Sequence, residues 1–118
     1  MIAITVQQDR ITVSGHAEYA EHGRDIVCAA ISTLTQNLIA SIENLTEDKI
    51  IYSVNPGMVD ICYRDLSEAS QLLVSSFLIG VDQVAEAYPD YINIINGMAW
   101  GFDNALGPKE KTNEKETY

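Results

Sequence analysis

Apolar and polar residues alternate from the start of the chain. Ile2, Ile4 and Val6 fall on one face at period two, and after the polar turn Gln7-Gln8-Asp9-Arg10 so do Ile11 and Val13. Alternation of this kind sets one face of a strand against a core, so residues 2–6 and 10–14 read as two paired strands. The period then changes. Val27, Ile31, Leu34, Leu38, Ile42 and Leu45 recur at steps of three and four, which is a continuous helical stripe. Asp25 stands where an N-cap belongs, and the helix is expected to end near Asn44–Thr46. At a rise of ~1.5 Å per residue, about 20 residues span roughly 30 Å, so this helix is the central element.

The second half adds two more strands and a second helix, with no internal repeat in the sequence. Residues 49–55 and 58–64 read as a third and a fourth strand around the turn Asn55-Pro56-Gly57. Asp65 and Glu68 have the spacing of a capping box. A second helix with the stripe Ala69, Leu73, Phe77, Ile79–Gly80 and Val84 runs to about Tyr88, where Pro89 stops it. Residues 91–95 are a short apolar run, read as a last edge strand. The order β-β-α-β-β-α with that strand implies a two-layer α/β (α+β) single domain over residues 1–96. Residues 97–118 read as a C-terminal extension, and Gly107–Tyr118, without apolar periodicity, is expected to be mobile.

Between the second strand and the first helix lies the stretch with the chemistry. Gly15–Ser32 holds both histidines of the chain, His16 and His22, and one of its two cysteines, Cys28. A thiol, an imidazole and a carboxylate within so short a segment are the parts of a cysteine nucleophile site. With Asp25 as cap, Cys28 is the third helical residue. Unpaired N–H groups and the positive end of the helix dipole favour a thiolate there, and the same amides are placed to hold an oxyanion. Asp25 can cap the helix, orient an imidazole, or do both. Ser32 lies one turn after Cys28 on the same helical face. Cys62, in an alternating strand, reads as structural.

Composition narrows the classes. The chain has 118 residues, enough for one domain with a modest core. No stretch is expected to reach the ~18 apolar residues of a membrane span, and the N-terminus alternates like a strand rather than a signal peptide. Two cysteines make no disulfide framework and suit a reducing, intracellular compartment. Acidic residues outnumber basic ones 17 to 7, for a net charge of −10. That balance opposes binding to a phosphate backbone and attracts a basic protein. A non-catalytic dimeric binding module, in which Cys28 is only packing, is the rival class. A thiol redox role lacks a Cys-x-x-Cys pair.

Gly15-His16-Ala17, then Gly23, Asp25-Ile26-Val27-Cys28-Ala29 and Ser32 resemble the signature of Prp, the ribosomal-processing cysteine protease family. The resemblance covers roughly residues 2–95. It implies a small cytoplasmic homodimer of α/β type that removes the N-terminal extension of a large-subunit ribosomal protein after a short sequence rich in aromatic residues. By resemblance Cys28 is the nucleophile and His16, rather than His22, the base, with Asp25 and Ser32 in supporting positions. In that mechanism His16 takes the Cys28 proton, the thiolate attacks a peptide carbonyl and water releases the acyl group. No metal, no cofactor, no membrane and no direct nucleic-acid binding is implied. Relatives in phage genomes supply the alternative substrate, a capsid or scaffold protein.

Overall fold

The computed structural model describes residues 1–21 and 24–97. The expected C-terminal extension beyond Gly97, with the part expected to be mobile, lies outside the described residues. Seven elements follow one another: β1 (Ile2–Val6), β2 (Arg10–Ser14), α1 (Ile26–Leu45), β3 (Ile50–Asn55), β4 (Met58–Tyr63), α2 (Glu68–Ala87) and β5 (Ile92–Asn96). The five strands form one sheet in the order β3-β4-β2-β1-β5. Neighbours are antiparallel, except that β5 runs parallel to β1. A hairpin reverses the chain, whereas a helical crossover such as α2 can bring it back in the same direction. The run after Pro89 is thus the edge strand expected from the sequence, and its partner is the first strand of the chain.

The period-two residues meet on one face of the sheet. Ile2, Ile4, Val6, Ile11, Val13, Ile61 and Tyr63 are buried in one cluster with Val27, Ile31 and Ile42 of α1 and Val74, Phe77 and Val81 of α2. Their alternates Ala3, Thr5, Thr12, Asp60 and Cys62 keep partial exposure on the other face. This is the two-layer α+β arrangement, with the helices stacked on the apolar side of the sheet. The helices meet closely at Gly80, where an added Cβ would lie 2.8 Å from Leu34 Cδ2; a glycine is what lets α2 approach there.

Three expectations need correction. The α1 stripe ends at Ile42, and Leu45 beyond it is 72 % exposed. α1 is also long and apolar enough by composition to cross a membrane, since Glu43 is its one charged residue. Its buried face against the sheet and α2 is that of a core helix. The third correction concerns α2, which begins at Glu68 with Ser67, not Asp65, as its cap. Asp48 accepts hydrogen bonds from both the Ser67 N–H and its hydroxyl, at 3.0 and 2.7 Å, and so sets where the helix starts. Asp65 instead takes a φ of 50° in the turn before it. The buried stripe becomes Ser70, Val74, Phe77, Leu78 and Val81, turned by about one residue from the expected one. Ser70, fully buried, meets its polar need by donating to Thr46 Oγ1 at 3.3 Å.

Candidate active site

Asp25 closes the start of α1. With φ −86° and ψ 99° it stands outside the helix, and its Oδ1 accepts the N–H groups of Val27 at 3.1 Å and Cys28 at 3.0 Å. Its Oδ2 accepts the N–H of Tyr19 at 3.0 Å. One carboxylate therefore both caps the helix and ties the preceding loop to it. Partial burial pushes this carboxyl up, but the N–H groups of Cys28 and Tyr19 outweigh it and hold Asp25 below the ordinary carboxylate range.

Cys28 is the third residue of α1, as the spacing predicts. Its half-buried sulfur accepts the backbone N–H of Ala17 at 3.3 Å. Ala17 itself is 3 % exposed, so this donor is held in place by the core. The preceding residue, His16, is exposed. Its side chain lies against the β3–β4 turn, where an added Cβ on Gly57 would stand 2.8 Å from Nε2. Cys28, His16, Asp25 and Ser32, the four site residues expected from the sequence, all line one cavity of about 830 Å³. It opens between the start of α1 and the turn Asn55-Pro56-Gly57-Met58.

Within that cavity the roles separate. Among the described residues the imidazole of His16 makes no hydrogen bond to the Cys28 thiol. Asp25 accepts three backbone N–H groups and, among the described residues, makes no hydrogen bond to the His16 ring, so here the carboxylate acts as cap and loop tie. That also corrects the expectation for the oxyanion. The Val27 and Cys28 amides are engaged by Asp25, and the amide aimed at the sulfur is that of Ala17, from the loop. Ser32 is exposed one turn beyond Cys28 and brings a hydroxyl to the cavity wall. His22 lies outside the described residues.

Sequence reasoning missed two anchors of the loop. Tyr19 sits edge-on between Tyr88 and Tyr91, with ring centroids 5.4 and 5.3 Å away. Edge-to-face packing at this separation is favourable, and it fastens the loop to the far end of α2. Glu18 takes a φ of 60°, which turns the chain into this seat. No spacing rule pairs residues so far apart. Cys62 lies on the other face of the sheet, where Arg10 Nε and Nη2 each approach its sulfur at 3.4 Å. It takes no part in the cavity, and both thiols are free. Among the described residues no cluster of three or more His, Cys, Asp or Glu is arranged for a metal ion.

Comparison with known proteins points one way. A family model described as cysteine protease Prp matches residues 1–93. A ribosomal processing cysteine protease Prp of Mycoplasma genitalium is 34% identical over 96 residues, covering 80% of this chain and 94% of the relative. One from Staphylococcus aureus is 30% identical over 87 residues, covering 71% and 82%. Among solved structures, an essential ribosomal processing protease Prp from S. aureus with a covalently linked product peptide superposes with a TM-score of 0.73 at 25% identity, covering 80% of this chain and 96% of that one.

Proposed function

The chain belongs to the cysteine protease Prp family, and from that membership we propose that Cys28 is its nucleophile and His16 its base, in an endopeptidase that trims the N-terminal extension of a large-subunit ribosomal protein. That it is a cysteine protease acting on a protein substrate follows from its relatives. The observation that carries the residue assignment is the setting of Cys28: third in α1, facing the cavity it shares with His16, with the Ala17 N–H on its sulfur.

The chemistry runs on this chain's own groups. His16 removes the Cys28 proton once substrate draws imidazole and thiol within hydrogen-bond reach; in unliganded enzymes such contacts are often long. The thiolate then attacks the scissile carbonyl, the His16 imidazolium gives its proton to the departing amine as the thioester forms, and water, deprotonated by the imidazole, hydrolyses the thioester and restores the thiol. The Ala17 N–H, pointing at the sulfur, steadies the thiolate before attack. Asp25 keeps the helix start and the loop in register, and Ser32 borders the same cavity. A product peptide joined covalently to the S. aureus relative supports a covalent route. The net charge of −10 suits a basic ribosomal protein as partner.

The same reading takes the enzyme as a cytoplasmic homodimer that needs no metal or cofactor. Its two free thiols suit a reducing compartment, and the exposed Ile51, Tyr52 and Val54 of β3 leave apolar surface for a second copy. The experiment is to incubate the protein with a ribosomal-protein precursor and, separately, with a phage capsid precursor, reading products by mass. Trimming of the ribosomal precursor, abolished by Cys28→Ser and reduced on the order of 10²-fold or more by His16→Ala, is expected. Trimming of the capsid precursor alone would move the substrate to a phage structural protein. No cleavage of either would return the chain to the binding-module class.

A further inference from the structure

We propose that Gly57, in the turn between β3 and β4, is a positioning residue for His16: its missing side chain is the seat on which the imidazole lies in the cavity it shares with Cys28. The inference rests on the Cys28–His16 reading and deepens it.

The turn explains only part of this glycine. Asn55 pairs with Met58 across the hairpin, so Pro56 and Gly57 are its two central residues. Gly57 has a φ of 77°, and proline followed by a residue of positive φ is the type II pattern. Asparagine satisfies that backbone requirement as well. The surroundings are more demanding. The three atoms nearest to a Cβ built on Gly57 all belong to the His16 ring: Nε2 at 2.8 Å, Cε1 at 3.3 Å and Cδ2 at 3.5 Å. The first of these is closer than packed carbon and nitrogen can come.

Which partner would yield is set by the backbone. The Gly15 N–H donates to the Gly57 carbonyl at 2.9 Å, which fastens the turn to the residue just before His16. Ala17, just after it, is buried with its N–H on the Cys28 sulfur. The main chain on both sides is thus held, and the imidazole, at the free end of a rotatable side chain, is what moves. With a residue that tolerates the positive φ of position 57, such as asparagine, the cost falls mainly on the geometry of the base rather than on the fold. A displacement of about 1 Å at a reacting group is enough to cost on the order of 10²-fold in rate.

The test uses Gly57→Asn and Gly57→Ala in the full chain, with His16→Ala beside them. Gly57→Asn, whose backbone tolerates positive φ, is expected to keep the circular dichroism of the wild type. Its kcat should fall on the order of 10²-fold with KM little changed, and alkylation of Cys28 by iodoacetamide should slow to the rate of His16→Ala. Adding Gly57→Asn to His16→Ala should slow alkylation no further, because the ring it displaces is gone. Should the L-substitutions fail to fold, D-alanine can be placed at position 57 by ligation at Cys62. It suits positive φ, and its methyl replaces the other Cα hydrogen, away from the imidazole, so activity close to the wild type is expected. The proposal is overturned if Gly57→Asn stays within about threefold of the wild-type kcat, or if D-alanine is as damaging as L-alanine. Full activity in His16→Ala would instead overturn the dyad, and this proposal with it.

Discussion

Replacing Asp25 with alanine removes three hydrogen bonds at once, two inside the helix start and one to the loop. Loss of an N-cap to alanine costs about 0.5–2 kcal/mol. Loss of the Tyr19 contact, a charge-assisted bond at an exposed loop, adds roughly 0.5–1 kcal/mol. The sum is about 2 kcal/mol, which in a domain of this size lowers Tm by ~10 °C. Thermal unfolding followed by circular dichroism at neutral pH measures it. The pH dependence is the sharper check. Asp25 is held below the ordinary range in the folded chain, so the folded value is the lower of the two. The stability due to its charge is therefore complete above the unfolded value of about 3.9 and fades as pH falls through the folded value. The Tm gap between wild type and Asp25→Ala should be constant from neutrality to about pH 5 and close below about pH 4. Asp25→Asn, also a good cap, should lie near the wild type at neutral pH and lack its acid-dependent component. A neutral-pH loss below about 0.5 kcal/mol, or a gap that persists undiminished in acid, would refute the view that this carboxylate holds the site together.

Two further tests address other parts of the molecule. Burial, with a smaller push from the Asp9 carboxylate, raises the Tyr63 hydroxyl to about 12; its folded value exceeds the unfolded one, so the stability it contributes is present below about pH 10 and is lost as pH climbs through 12. Tyr63→Phe, which gives up the hydroxyl's bond to the Gln7 carbonyl at 3.3 Å, should remove one late-titrating phenol from the ultraviolet titration and flatten the alkaline loss of Tm; an unchanged alkaline loss would refute the assignment. Tyr19→Leu gives up both edge-on ring contacts, each worth about 0.5–1.5 kcal/mol, and should expose residues 17–24 to limited proteolysis, with cleavage sites read by mass. Protection equal to the wild type would show that the two rings are not what anchors the loop.

What the sequence determined by itself is what near neighbours decide. The strands at 2–6 and 10–14 and the helix after Asp25 have the bounds read from periodicity, because a face that must be buried imposes its period locally. Cys28 as third helical residue follows from the cap alone, since an N-cap and the amides it serves are two or three residues apart. The motif residues His16, Asp25, Cys28 and Ser32 were therefore legible as a candidate constellation. Their duties were not. The start and phase of α2 depend on Asp48, 19 residues before the serine it holds. The parallel pairing of β5 with β1 joins the two ends of the described fold. The donor on the Cys28 sulfur, the Tyr19 wedge and the Gly57 seat of His16 each join residues from different elements. Periodicity reports which side of an element is buried and says nothing of which neighbour buries it. Only the packing of elements brings the loop amide to the thiol and the β3–β4 turn to the imidazole, and a reactive geometry depends on such distances rather than on composition.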